Sequence, residues 1–327
     1  MLLSFWSTIF CLVLSTILLI ALVNSDANSN KNYLRKEHSL MKPYKDDRWN
    51  LLGSAMFLNN YVRLTPDQQS RKGAVWNSVP CRTINWELHV HFKVHGAGTD
   101  LAGDGFAIWY VRDAMKLGPV FGSIDNFYGL GIFFDTYSNY HEKHKHGFPY
   151  ISVMVNNGSL HYDHDSDGTG TEVAGCEAHF RNLKVETFIA IRYENNKLTI
   201  SLDIDGKNTW RTCLKVDNIL LPTGLFFGAS AATGGLSDNH DLITFKMYDV
   251  GTAEHEDEDE INGRMAIVPS LEGFEYEDFT KTEKVVKESW SFLFILFVIF
   301  MVVVCLVLAA VGIYYFYESR QNKKRFY

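Results

Sequence analysis

Three polar loops interrupt apolar stretches of the chain with oxygen-bearing side chains. They are Gly103-Asp104-Gly105, Asp135-Thr136-Tyr137-Ser138-Asn139 and Asp163-His164-Asp165-Ser166-Asp167-Gly168. Carboxylates, amide carbonyls and backbone carbonyls are the ligands a hard cation such as calcium takes. The third loop opens like an EF-hand, with aspartates at Asp163, Asp165 and Asp167 followed by Gly168. Ala174 occupies the place of the closing bidentate Glu, and no flanking helices are predicted, so an EF-hand is excluded. Taken alone, the Asp135 loop reads as a surface Asx-turn. His141, His144 and His146 have zinc-ligand character, but their place in a loop between strands favours a solvated face.

The segments between these loops must position them, and their pattern is that of strands. Trp86, Leu88, Val90, Phe92 and Val94 alternate with Glu87, His89, His91 and Lys93, the two-residue period of a half-buried strand. The period returns at Leu198, Ile200, Leu202 and Ile204 against Lys197, Thr199, Ser201 and Asp203. It returns again at Ile243, Phe245 and Met247 against Thr244, Lys246 and Tyr248. Continuous apolar runs at 106–111, 131–134, 151–155, 188–191 and 225–231 predict strands covered on both faces. Asn156-Asn157-Gly158, Asn195-Asn196 and Asp205-Gly206 supply turn residues that tolerate positive φ. Many short strands without a long amphipathic helix predict an all-β fold, an antiparallel β-sandwich. Asn157-Gly158-Ser159 is an N-glycosylation sequon expected on a hairpin turn, so Asn157 is a candidate glycan site.

Several chemistries are excluded. No GxGxxG or P-loop follows a strand, and Gly103-Asp104-Gly105 is too short to cradle a nucleotide. A β-sandwich glycosidase needs two facing carboxylic acids, whereas Glu87, Glu172, Glu177 and Glu186 are scattered at strand edges. No nucleophile elbow is present. The net charge of -7 offers no basic surface for nucleic acid.

The layout is that of a single-pass type I membrane protein. An apolar leader is expected at 1–25 as a signal peptide, although no Lys or Arg precedes its core; an uncleaved anchor is the alternative. The lumenal body is expected at 26–250, an acidic linker and stalk at 251–290, a transmembrane helix at 291–317 and a cytosolic tail at 318–327. Residues 292–317 contain no charge and, at about 1.5 Å per residue, suffice for roughly 30 Å of hydrocarbon. Arg320, Lys323, Lys324 and Arg325 follow directly, which places the C-terminus in the cytosol. The run EHEDEDE at 254–260 reads as solvated linker rather than a calcium buffer. With Cys11 in the leader and Cys305 in the span, Cys81, Cys176 and Cys213 remain in an oxidising compartment. Cys176 and Cys213 each adjoin a strand-like segment at a polar edge and form the favoured pair, leaving Cys81 as a buried thiol.

Four segments in order resemble a known family: GDGFAIWYVRD (103–113), PVFGSIDNFYGLGIFFDTYSN (119–139), FPYISVMVNNGSLHYDHDSDG (148–168) and LPTGLFFGASAATGGLSDNHD (221–241). They are similar to the animal leguminous-type (L-type) lectins of the secretory pathway, above all to the vesicular members. The resemblance spans about 40–250 together with span and tail. It implies a legume-lectin-like jelly roll that binds high-mannose N-glycans with calcium. On that resemblance, Asp135, the Tyr137 backbone, Asn139 and Asp167 are the calcium ligands. Ser70, Asp104, Asn139, His164 and the run Gly234-Gly235-Leu236 are the sugar contacts. Vesicular members carry aspartate where this chain has Gly235, and the intermediate-compartment member carries glycine, so arm preference among mannoses does not transfer. Tyr137 or Phe127 offers an apolar face to the sugar or belongs to the core. His164 is either a mild-acid release switch or a neutral hydrogen-bonding residue.

The implied role is a transmembrane cargo receptor for glycoproteins, cycling among endoplasmic reticulum, intermediate compartment and Golgi. In the tail, Lys323, Lys324 and Arg325 resemble a retrieval signal read by vesicle coat proteins, and Phe326 and Tyr327 an exit signal. The same basic residues also serve simply as topology determinants. The competing readings are a non-catalytic membrane scaffold with a degenerate lectin fold and, behind it, a glycoside hydrolase.

Overall fold

The computed structural model describes residues 33–99, 101–139, 146–251 and 258–271. The leader, the span expected at 291–317, the tail residues Lys323 to Tyr327, and His141 and His144 lie outside the described residues. Among the described residues, no helix is long and apolar enough to cross a membrane.

Among the described residues, two large antiparallel sheets form a sandwich. One has seven strands in the order Ala174–Glu177, Tyr150–Asn157, Tyr128–Asp135, Gly105–Val111, Phe226–Ala232, Lys72–Asn77 and Trp49–Gly53. The other runs Arg211–Val216, Lys197–Asp203, Thr187–Glu194, Trp86–His95, Asn239–Asp249, Val62–Thr65 and Met56–Phe57, with Tyr33–Leu34 pairing on Asn239–Asp249. The order is far from sequential, as expected where strands alternate between the layers of a jelly roll.

The two kinds of apolar pattern separate along these sheets. In the eight-stranded sheet, Trp86, Leu88, Val90, Phe92 and Val94 point into the sandwich while the residues between them retain solvent contact. There Phe92 meets Phe106 and Phe134 of the facing sheet at 5.2 and 5.3 Å between ring centroids. The seven-stranded sheet is buried on both faces, because Trp76, Trp109, Phe133 and Met154 form a second cluster on its far side under Phe121, Phe127 and Tyr162. That second cover explains why its strands read as unbroken apolar runs. Burying one such aromatic contributes about 2 to 3 kcal/mol.

Four details differ from the sequence pattern. Ile243 was expected inside but is only half-buried: Leu242 pairs with Phe92 and Thr244 with His91, so Ile243 is the extra residue of a bulge. Phe188 was expected between two covered faces, yet it lies on the outer face of the eight-stranded sheet, half-buried against His91. The sequon stands not on a hairpin turn but where Tyr150–Asn157 ends and a long crossing, 158–173, begins. Finally, part of the expected linker folds back on the sandwich. Glu258–Met265 is a helix, and Ser270–Leu271 pairs with Ile219–Leu220. Thr223 donates to the Ile261 carbonyl and Tyr128 to that of Ile267.

Cys176 and Cys213 are bridged, joining the outermost strands of the two sheets, and Cys81 is buried outside the bridge. On the chain-entropy account, closing a 37-residue separation contributes about 4 kcal/mol.

Candidate metal and ligand site

Asp135 is the last residue of its strand and lies opposite Gly105 on one side and Tyr150 on the other, which fixes it at one end of the seven-stranded sheet. The loop after Asn157 returns across the sheet to the same end. On the way it buries Tyr162 against Phe133, and Asp125 accepts from the Tyr162 N–H. It then makes a 3-10 turn at His164–Ser166, capped by Asp163, and places Asp167 in the left-handed region at φ 50°.

Asp167 and Asn139 are joined three ways: the Asn139 backbone N–H reaches both carboxylate oxygens at 3.0 and 3.1 Å, and the side-chain amide donates to Oδ1 at 2.8 Å. With its NH2 group so engaged, Asn139 has its amide oxygen as remaining donor atom for a cation. Asp135 is only 6 % exposed, and its Oδ1 accepts from the Tyr137 N–H at 2.9 Å. Burial pushes the Asp135 carboxyl well above the ordinary carboxylate range, and the negative charges of Asp167 and Asp104 push it further.

Asp104 sits where only glycines leave room. The Gly103-Asp104 peptide is cis. Its backbone N–H donates to the Ala232 carbonyl, and its carbonyl accepts from the N–H and hydroxyl of Thr136. A Cβ on Gly105, at φ 148°, would fall 2.2 Å from the Phe134 carbonyl oxygen; one on Gly234 would fall 2.9 Å from Asp104 Oδ1. Burial raises the Asp104 carboxyl, while His164, the Gly234 N–H and Lys72 pull it down.

His164 bonds the Pro119 carbonyl, and its buried Nε2 has no protein partner. Burial lowers its pKa, so the ring is neutral at neutral pH. A neutral imidazole whose Nδ1–H is donated presents a lone pair at Nε2, an acceptor for a hydroxyl. Phe121, at φ 43°, forms the wall beside it, with ring centroids 5.9 Å apart. Its position is held from below: Trp109 donates to the Ser230 hydroxyl, which donates to the Phe121 carbonyl.

Of the expected residues, Ser70, Asp104, Asp135, Tyr137, Asn139, His164 and Gly234 line one cavity of about 600 Å³. Asp167 joins it through Asn139. Gly235 and Leu236 are neighbours rather than walls: a Cβ on Gly235 meets nothing within 4 Å, and Leu236 packs near Gly103. Phe127 is fully buried beside Trp109, so of the two aromatics only Tyr137 reaches the cavity. Lys72, Pro119, Phe121 and Thr233 also line it and escaped the sequence reading. Pro119 and Phe121 stand at the start of the stretch 119–139 but carry no side-chain oxygen to mark them as site residues.

The donor set fits a hard divalent cation. Two carboxylates, an amide oxygen and a backbone carbonyl are calcium-type ligands, and a bound cation would favour the charged form of Asp135 that burial and the neighbouring carboxylates disfavour.

The family model of the legume-like lectin family matches residues 31–257. Human VIP36-like protein is 47% identical over 308 residues, 92% of this chain and 88% of that protein. Human vesicular integral-membrane protein VIP36 is 45% identical over 332 residues, 95% of this chain and 90% of that protein. The crystal structure of the VIP36 exoplasmic/lumenal domain in its Ca2+/Man3GlcNAc-bound form superposes with a TM-score of 0.70 at 52% identity, covering 73% of this chain and 99% of that one. With its two-layer sandwich and its cluster of acidic loops, this chain belongs to the legume-like lectin family.

Proposed function

We propose that the chain is a calcium-dependent lectin for high-mannose N-glycans and acts, without catalysis, as a transmembrane receptor for glycoprotein cargo in the early secretory pathway. The observation that carries this reading is the convergence of Asp104, Asn139 and the orphaned His164 Nε2 on the cavity that also holds the buried Asp135. The calcium- and mannose-bound VIP36 domain supports it.

Asp135, Asp167, the Asn139 amide oxygen and the Tyr137 carbonyl would hold the ion. Bound calcium compensates the two carboxylates and fixes their loops. Asp104 then accepts hydrogen bonds from sugar hydroxyls, His164 Nε2 accepts another, and Phe121 and Tyr137 supply apolar surface. Because these groups are ordered beforehand, the sugar bears little of their ordering cost. Asn157 pairs with Tyr128 at the far end of the strand that begins at Tyr150, so a glycan there stands about 24 Å from the site and leaves it open.

A glycan array probed with the full chain tests the reading. Mannose-terminated glycans bind in calcium, and binding disappears in EDTA, in Asp104→Asn and in Asn139→Ala. Retention in all three would contradict it, as would turnover of an oligomannose. The span at 291–317 and the signals at Lys323, Lys324, Arg325, Phe326 and Tyr327 complete the proposal: replacing the last five residues by alanine shifts the steady-state location in cells, and an unchanged distribution argues against coat-protein recognition.

A further inference from the structure

The outer face of the eight-stranded sheet, away from the sandwich interior, holds a second cavity of about 310 Å³. Strand register assembles it. Asp203, Phe188, His91 and Thr244 form one row across four strands, and Ser201, Ala190, His89 and Lys246 form the next. The His89 ring lies between Trp210 and Tyr248, with centroids at 5.4 and 5.0 Å, and the His91 ring rests on Phe188 at 4.4 Å. Glu87 and Glu186 bond the two histidines, so both rings are held as walls.

Two features of this cavity suit a ligand. Trp210 is 47 % exposed, a costly placement for the largest apolar side chain. Asp203 is only 8 % exposed, lines the cavity, and its Oδ1 is buried without a hydrogen-bond partner. A buried acceptor in that state has lost its hydration without replacement, and a ligand donor restores the missing hydrogen bond. Charge decides what kind of ligand. Asp203 and Lys246 both line the cavity, so a ligand of either charge faces one like charge in it. A neutral molecule with hydroxyl donors and one apolar face meets no such conflict. The volume sits at the small end of ligand cavities, about 300 to 1,000 Å³, which suits a single ring.

We infer that this cavity is a second carbohydrate-binding site, independent of the calcium loops, that takes one neutral pyranose with its apolar face on Trp210 and a hydroxyl donated to Asp203.

The test is saturation-transfer NMR on the full chain in excess EDTA, with methyl glycosides of glucose, galactose, mannose and N-acetylglucosamine as probes and N-acetylarginine amide as a cationic control. At least one glycoside shows transfer, equally in wild type and in Asp104→Asn. The transfer falls at least tenfold in Trp210→Ala and in Asp203→Ala. Trp210 is about half exposed, so a thermal melt of Trp210→Ala is expected to match wild type, and that variant decides the matter even if Asp203→Ala fails to fold. Absence of transfer from every glycoside, transfer unchanged in Trp210→Ala, or transfer from the arginine amide alone overturns the inference.

Discussion

The side-chain amide of Asn139 donates to Asp167 Oδ1 at 2.8 Å, clasping the loop that follows one strand to a loop twenty-eight residues further on. The bond fixes the two loops against each other and turns the Asn139 amide group so that its nitrogen serves the protein. Asp167→Ala removes the clasp and a carboxylate together. Loss of supporting contacts around a metal typically costs 10- to 100-fold in affinity, so calcium affinity measured by titration calorimetry is expected to fall by at least about tenfold. Unchanged affinity would mean that Asp167 takes no part in holding the ion.

Gly234 and Gly235 are adjacent but unequal. A methyl at Gly234 would crowd Asp104 Oδ1 at 2.9 Å, whereas at Gly235 it meets open space. Gly234→Ala is expected to weaken mannoside binding about tenfold or more, equivalent to about 1.4 kcal/mol. Gly235→Ala should leave it unchanged. Equal effects of the two substitutions would show that the approach of Asp104 to that backbone is not what limits binding.

His240 is fully buried against Thr65, and burial lowers its pKa to about 3. The folded state therefore favours the neutral ring. The resulting stability is present above the unfolded pKa of 6.5 and is lost as pH falls toward 3. Between pH 7.5 and pH 5 this group alone costs about 2 kcal/mol. Denaturant melts of wild type and His240→Gln at both pH values check this: the variant should lose less stability on acidification, and parallel losses would contradict the assignment.

The Cys176–Cys213 bridge ties the edges of the two sheets. Cys176→Ser with Cys213→Ser is expected to lower stability by about 4 kcal/mol, read as a shift in the denaturant midpoint. A midpoint that does not move would show that the sheet edges are held by packing alone.

Strand periodicity made most of the sandwich legible. It failed at Ile243, where a bulge shifts the register, and at Phe188, because a run of apolar residues does not state which face another layer will cover. The oxygen-bearing loops were legible one by one, since Asp104, Asp135 and Asp167 each interrupt an apolar context. Their convergence was legible only through family resemblance, because it depends on the 158–173 crossing returning to the Asp135 end of the sheet. The wall at Phe121 was not legible, as its placement depends on a left-handed backbone and on the Ser230 hydroxyl. Asp203 misled in the opposite sense: alternation assigned it to a solvated face, yet it is buried in the wall of a cavity that Trp210 also lines.

The central claim is that calcium readies the Asp135 and Asp167 loops for mannose. Titration calorimetry of the full chain with oligomannose, at saturating calcium, after chelation and after calcium is restored, addresses it most directly. Binding that vanishes with the chelator and returns with the ion is the result expected. Equal heats and equal affinity in all three conditions would contradict it.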